Sequence, residues 1–135
     1  MHSIALSIEK MNRLKELGID TSDSSLFWVS YKQIEDEITF LCPKELLCQY
    51  KNNPILKCKI TPAYTLQDIL NKLPKRMDVG CLNMDYHEQF TIGYSNMNHG
   101  LHYVFFKSAD TELEAAYQLL HFLRFEIFQS VINKV

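Results

Sequence analysis

Three runs of alternating residues lead directly into a helix-start signal, and no other feature restricts the fold so tightly. Leu82, Met84 and Tyr86 alternate with Cys81, Asn83 and Asp85. Phe90, Ile92 and Tyr94 alternate with Gln89, Thr91, Gly93 and Ser95, and Leu101, Tyr103 and Phe105 alternate with His102, Val104 and Phe106. Period two is the spacing of a strand with one face buried. The connections His87-Glu88 and Asn96-Met97-Asn98-His99-Gly100 predict an antiparallel meander. One of its faces is wholly apolar and must be covered.

The cover is the segment that follows. Asp110-Thr111-Glu112-Leu113-Glu114 contains a Thr-x-x-Glu capping box, in which the Thr111 hydroxyl takes the Glu114 N–H and the Glu114 carboxylate reaches back. A helix is predicted from Thr111 to about Asn133. It carries one apolar stripe of Leu113, Ala116, Leu120, Leu123, Ile127 and Val131, and a second of Leu119, Phe122 and Phe125. At 3.6 residues per turn the two stripes lie roughly 60–100° apart. In a chain of 135 residues such a helix is either the central core element or half of a contact with something else.

Upstream, Ile4, Ile8, Met11, Leu14 and Leu17 recur three or four apart and predict a first helix from about Ile4 to Leu17. Gly18 and Ile19 supply the left-handed stop and the apolar residue after it. Leu26–Tyr31 and Glu37–Cys42 read as a hairpin with a loop of about five residues, Lys32–Asp36. Pro43–Asn53 reads equally as helical turn or loop, and Ile55–Ile60 as a short strand. Thr65 caps a second helix, Leu66–Leu73, with Asp68 in its first turn and Pro74 after it. The expectation is a single α+β domain, residues 1–135: a twisted antiparallel sheet, made of a hairpin plus a three-stranded meander, with an N-terminal helix, a short middle helix and a long C-terminal one. Asn52-Asn53-Pro54 is the one place where a boundary is suggested.

Bulk properties exclude several classes. Hydrophobic residues make up 47% and charged residues 22%, which is the balance of a folded domain and not of a disordered one. No run approaches the roughly 18 apolar residues of a membrane span, and no basic segment followed by an apolar run marks a signal peptide. The four cysteines, Cys42, Cys48, Cys58 and Cys81, have five, nine and twenty-two residues between them, a spacing of no zinc or thioredoxin motif. They read as reduced thiols in a cytoplasmic protein. Four glycines in all, with no Gly-rich loop and no Gly-x-Ser-x-Gly, speak against a phosphate cradle and a serine nucleophile.

The net charge of −2 is uneven. From Lys44 to Arg76 seven basic residues face only Glu45 and Asp68, and Lys57, Lys59, Lys72, Lys75 and Arg76 form a candidate phosphate-binding set. The same lysines also suit a helix C-terminus and a guarded strand edge. His99 and His102, with His87 and Cys81 in the meander, are the metal candidates, although His102 faces away from Leu101 and Tyr103. Asp85-Tyr86-His87-Glu88 places an imidazole between carboxylates at an exposed turn. Cys42 and Cys48 are the thiols outside plain strand interiors.

Several of these segments together resemble a loose group of small uncharacterised proteins of phages, prophages and bacterial mobile elements. The resemblance rests on Leu14-Lys15-Glu16-Leu17-Gly18-Ile19-Asp20, on Phe27-Trp28-Val29, on the stretch from Pro62 to Pro74, on the Tyr/Phe-rich meander and on the helix start from Asp110 to Leu123. It covers most of the chain, with Pro43–Ile60 outside it, and implies the α+β fold and a mobile-element origin. It transfers no activity, cofactor or catalytic residue.

The leading expectation is therefore a non-enzymatic interaction module with no cofactor. It would hold a protein partner or a second copy of itself through Phe122, Phe125 and Phe128 of the last helix, or through Trp28, Val104 and Phe106 on the second face of the sheet. The alternatives are a nucleic-acid-binding accessory protein using the five basic residues, and a small metal-dependent hydrolase built on His87, His99 and His102.

Overall fold

The computed structural model describes residues 4–78, 80–96 and 102–133, with side chains in the last helix described as far as Glu126. It is an α+β fold with two antiparallel sheets, so the predicted hairpin and the meander belong to separate sheets. The chain divides into two compact units, Ala5–Asp68 and a second that joins Ile4 to the residues from Ile69 onward. The division falls inside a helix, and Asn52-Asn53-Pro54 lies within the first unit.

The first unit contains α1 (Ile8–Glu16), β1 (Leu26–Gln33), β2 (Asp36–Pro43), a 3-10 turn (Lys44–Leu46), α2 (Cys48–Lys51) and β3 (Lys59–Ala63), in a sheet of order β2-β1-β3. The first helix starts four residues later than its apolar spacing predicts. Ser7 is extended and caps it by accepting the Lys10 N–H at 3.3 Å, while Ala5 and Leu6 run beside Thr65 and Tyr64, the Leu6 N–H donating to the Tyr64 carbonyl at 2.9 Å. Its end is as predicted: Gly18 has φ +81°, its N–H bonds the Lys15 carbonyl and the Ile19 N–H bonds the Leu14 carbonyl, which are the two bonds of a Schellman stop.

The hairpin loop is two residues, Ile34-Glu35, and not five, because Lys32 and Gln33 pair with Glu37 and Asp36 in the ladder. Its tightness forces Ile34 to φ +58°. The third strand starts four residues later than the predicted Ile55–Ile60, at Lys59, and runs to Ala63. The Asn53 side chain holds the Ile55 and Leu56 N–H groups in a turn, and Pro62 is tolerated because β3 is an edge strand. One sheet face buries Phe27, Val29 and Cys42 under Leu47, with Phe40, Tyr50, Cys58 and Ile60 packed around them. Thus the ambiguous segment after Pro43 is the cover of this face. α1 packs on β3, and buried Met11, Leu14, Ala63 and Tyr64 form the neighbouring core.

Tyr64 and Asp68 tie the loops of this unit together. The Tyr64 hydroxyl lies 2.8 Å from an Asp23 carboxylate oxygen and 3.0 Å from the Asp20 carbonyl. Asp68 accepts from the Ser25 N–H, the Ser25 hydroxyl and the Thr65 N–H, while Thr65 returns the bond to the Asp68 N–H. That reciprocal pair is a capping box for α3 (Leu66–Lys72).

In the second unit β4 (Arg76–Met77), β5 (Gly80–His87), β6 (Gln89–Asn96) and β7 (His102–Ala109) form a sheet in that order, and α4 (Glu112–Asn133) packs on β6 and β7. Thr111 caps α4, its hydroxyl accepting the Glu114 N–H at 3.1 Å. Ile92, Tyr94, Ala116, Leu119 and Leu120 are buried, and the Tyr94 hydroxyl donates to the Pro74 carbonyl at 2.6 Å.

A β-branched residue at positive φ is strained by about 1–2 kcal/mol, and Ile34 has no burial to offset it, being 98% exposed. Replacing Ile34→Asn, which tolerates this backbone, is expected to stabilise the protein by about 1 kcal/mol in urea unfolding. Burial pushes the Tyr94 phenol up to about 12 and, with Asp23 next in weight, raises Tyr64 further still. A pKa raised in the folded state means stability that is complete below about pH 10, the unfolded tyrosine value, and lost as pH climbs through the folded one. Urea unfolding between about pH 9 and 12 should show that loss, and Tyr94→Phe should be less stable at neutral pH with a shallower alkaline decline.

Candidate interaction surface

The register of β6 against β7 decides what each face of the second sheet presents. Phe90, Ile92 and Tyr94 pair with Ala109, Lys107 and Phe105, whereas Thr91 and Gly93 pair with Ser108 and Phe106. At the Tyr94–Ser95 step β7 carries one extra residue, so that Ser95 pairs with Tyr103. On the helix-covered face Phe105 packs between Tyr94, 5.1 Å away between ring centres, and Phe122 at 6.2 Å. The Lys107 ammonium lies 4.6 Å over the Phe122 ring.

Among the described residues α4 packs on the Tyr94–Phe105 face, and the opposite face is the one that carries Gly93 and Phe106. The extra residue turns Tyr103 onto this face, where its ring lies 5.7 Å from that of Phe106, and alternation from Phe106 places Val104 there too. Gly93 lets Phe106 settle: a Cβ at Gly93 would come within 2.7 Å of the Phe106 Cβ and 2.3 Å of the Phe105 carbonyl oxygen. Around this strip the polar groups bond to one another. Asn83 donates to the Ser95 hydroxyl and to the Cys81 carbonyl, and the Thr91 and Ser108 hydroxyls are 2.8 Å apart. Val104 and Phe106 remain 54% and 52% exposed. The Tyr103 hydroxyl is buried without a hydrogen-bond partner among the described residues; burial, and then the Asp85 charge, push its pKa up.

The other candidates are distributed as follows. Trp28 is half-buried and donates its Nε1–H to the Leu6 carbonyl at 2.7 Å, an anchor for the N-terminal segment. Phe122 is half-buried against Phe105 and beneath Lys107, while Phe125 is 41% exposed and stacks on His121. The Phe128 side chain lies outside the described residues. Lys57 and Lys59 are exposed in the first unit, and Lys75 and Arg76 are exposed in the second, with Lys72 half-buried there.

His99 and the His102 side chain also lie outside the described residues. His87 pairs with Asp85 at 3.4 Å in a largely solvated turn. No group of three or more His, Cys, Asp or Glu is arranged to hold a metal among the described residues. All four cysteines are free; burial, and then Cys48, raise the Cys42 thiol away from its reactive form. No described helix is long and apolar enough to cross a membrane.

Tyr103 was not legible as part of this surface, because the extra residue that turns it outward has no local sequence signal. Comparison with protein-family models, with characterised proteins and with solved structures finds no match.

Since both side chains are more than half exposed, Val104→Lys and Phe106→Lys should each change stability by no more than about 0.5 kcal/mol. Phe105→Ala, one residue away on the packed face, should cost about 3 kcal/mol in the same urea titration.

Proposed function

We propose that the protein is a non-enzymatic interaction module of mobile-element origin, working in the cytoplasm, and that the outer face of its C-terminal sheet is the docking surface. One observation carries the reading: Val104 and Phe106 stand exposed side by side, with Tyr103 against them, on a face where the surrounding polar side chains satisfy one another. Contiguous exposed apolar surface rimmed by polar groups marks protein contacts, and aromatic residues dominate their energetics. The cytoplasmic placement is supported by four unpaired thiols. The mobile-element origin is supported by the resemblance of the capping, stop and meander segments.

The test compares wild type with a Val104→Lys/Phe106→Lys double variant by native mass spectrometry, after matched isolation from the same cells. The wild type is expected to carry a protein companion, or another copy of itself, that the folded double variant loses. A folded double variant that keeps every wild-type companion removes this surface from consideration.

A further inference from the structure

We infer that the partner of this surface is a second copy of the chain, joined edge to edge through β7 in an antiparallel pair centred on Phe106. The inference rests on the docking surface proposed above and names its occupant. Four strands lie at sheet edges: β2, β3, β4 and β7. β2 carries exposed Asp36, Glu37 and Pro43, and β3 carries exposed Lys59 and the donor-less Pro62, all devices that discourage pairing. β4 is two residues long. β7 has eight residues, no proline, and a run of Tyr103, Val104, Phe105 and Phe106 without a charge. Its next residue, Lys107, is folded back over Phe122. β5 is open as well beyond Leu82, where β4 no longer covers it, but that edge carries exposed Asp85 and His87; among the described edges β7 is the long one with an uncharged run.

The register follows from three requirements. Opposed residues must project from the same face, like charges must not meet, and the ladder must reach no further than Val104, the extra residue of β7. A two-fold axis through Phe106, perpendicular to the sheet, meets all three. It opposes Phe106 with its own copy and Phe105 with Lys107 over the regular stretch Phe105–Lys107, and brings Val104, the extra residue, opposite Ser108 at each end. The exposed aromatic then forms a cross-strand aromatic pair at the centre, and each lysine meets a phenylalanine and not its own copy.

The helices fit the same arrangement. α4 packs on β6 and β7 together, so it lies over the line between them. With neighbouring strands about 4.8 Å apart, the two copies of α4 would be separated by roughly 10 Å, the ordinary spacing of packed helices. Phe125, exposed at 41% in the single chain, sits on the helix that acquires this neighbour.

The experiment uses the full chain with Cys48→Ser and Cys81→Ser, to remove the two exposed thiols. Into it go Val104→Cys alone, or Val104→Cys together with Ser108→Cys. The proposed register brings residue 104 opposite residue 108 of the other copy, whereas two copies of residue 104 lie roughly 13 Å apart. Under glutathione disulfide the double-cysteine protein should form a covalent dimer and the single-cysteine protein should not. Sedimentation equilibrium of the unmodified chain should show a reversible dimer whose dissociation constant rises about tenfold or more with Phe106→Lys. A monomer at every concentration, or a dimer unaffected by Phe106→Lys, overturns the inference. So does a dimer that cross-links equally through residue 104 alone. If the chain is monomeric yet the Val104→Lys/Phe106→Lys protein still loses a companion in the native mass spectrum, the docking surface stands and only its occupant is wrong. If no companion is lost either, both fail.

Discussion

Burial of Ile92, Tyr94 and Phe105 beneath α4 fixes the construction of the C-terminal unit, because a single helix can dry only one face of a sheet. The helix spends its packed residues, Ala116, Leu119 and Leu120, on that face. The other face has to be reconciled with water by its own side chains. Most of it is: Asn83, Thr91, Ser95 and Ser108 pair among themselves. The exception is the β7 side, where an extra residue turns Tyr103 outward next to Val104 and Phe106. An inserted residue in a strand re-aims a side chain at a cost to the ladder, and here the side chain re-aimed is a tyrosine whose hydroxyl ends up buried without a partner among the described residues. A strand optimised only for its own sheet would not pay that cost for an outward-facing aromatic.

Local chemistry was the legible part of the sequence. The Schellman stop at Gly18-Ile19, the Thr65 and Thr111 caps, the break at Pro74 and the first two alternating strands each depend on residues within one turn or one ladder spacing, and each is found where the pattern puts it, whereas in the third strand Tyr103 leaves the face it was expected to share with Phe105. What failed depended on partners distant in the chain. Ala5 and Leu6 fit a helical stripe, but Tyr64 and Thr65 hold them extended. Ile55–Ile60 alternates at its end like a strand, yet the Asn53 side chain holds Ile55 and Leu56 in a turn and the ladder begins at Lys59. That hairpin and meander form separate sheets could not be read from periodicity, which gives the faces of a strand and not its neighbours.

The candidate surface divides the same way. Exposure of Val104 and Phe106 was readable from alternation, since they share the face opposite Phe105. Trp28, chosen on the same logic, is held by a bond from its indole to the Leu6 carbonyl, an interaction across a span of chain that composition does not reveal. Phe122 belongs to a stack with Phe105 and Lys107, so Leu119 and Phe122 of its stripe on α4 serve the unit itself, while Phe125 stays exposed. The five basic residues that looked like one cluster in sequence fall in two different units, Lys57 and Lys59 in one and Lys72, Lys75 and Arg76 in the other.

Exposed apolar residues elsewhere in the molecule give a useful contrast. Ile34 and Ile55 are more exposed than either Val104 or Phe106, but each stands in a loop, at the hairpin turn and beside Asn53. A single exposed isoleucine loses little by meeting water and offers a partner little area. On β7 the apolar groups come with a regular backbone whose outer hydrogen-bonding edge is unclaimed by any described strand. Side-chain burial and ladder formation then occur in one event, and each makes the other more favourable: the ladder sets the register that opposes the aromatics, and the aromatics exclude water from the ladder. Affinity built this way depends on register as much as on hydrophobicity, which is why the position of the two-fold axis, and not the mere presence of exposed phenylalanine, is the informative quantity for this fold.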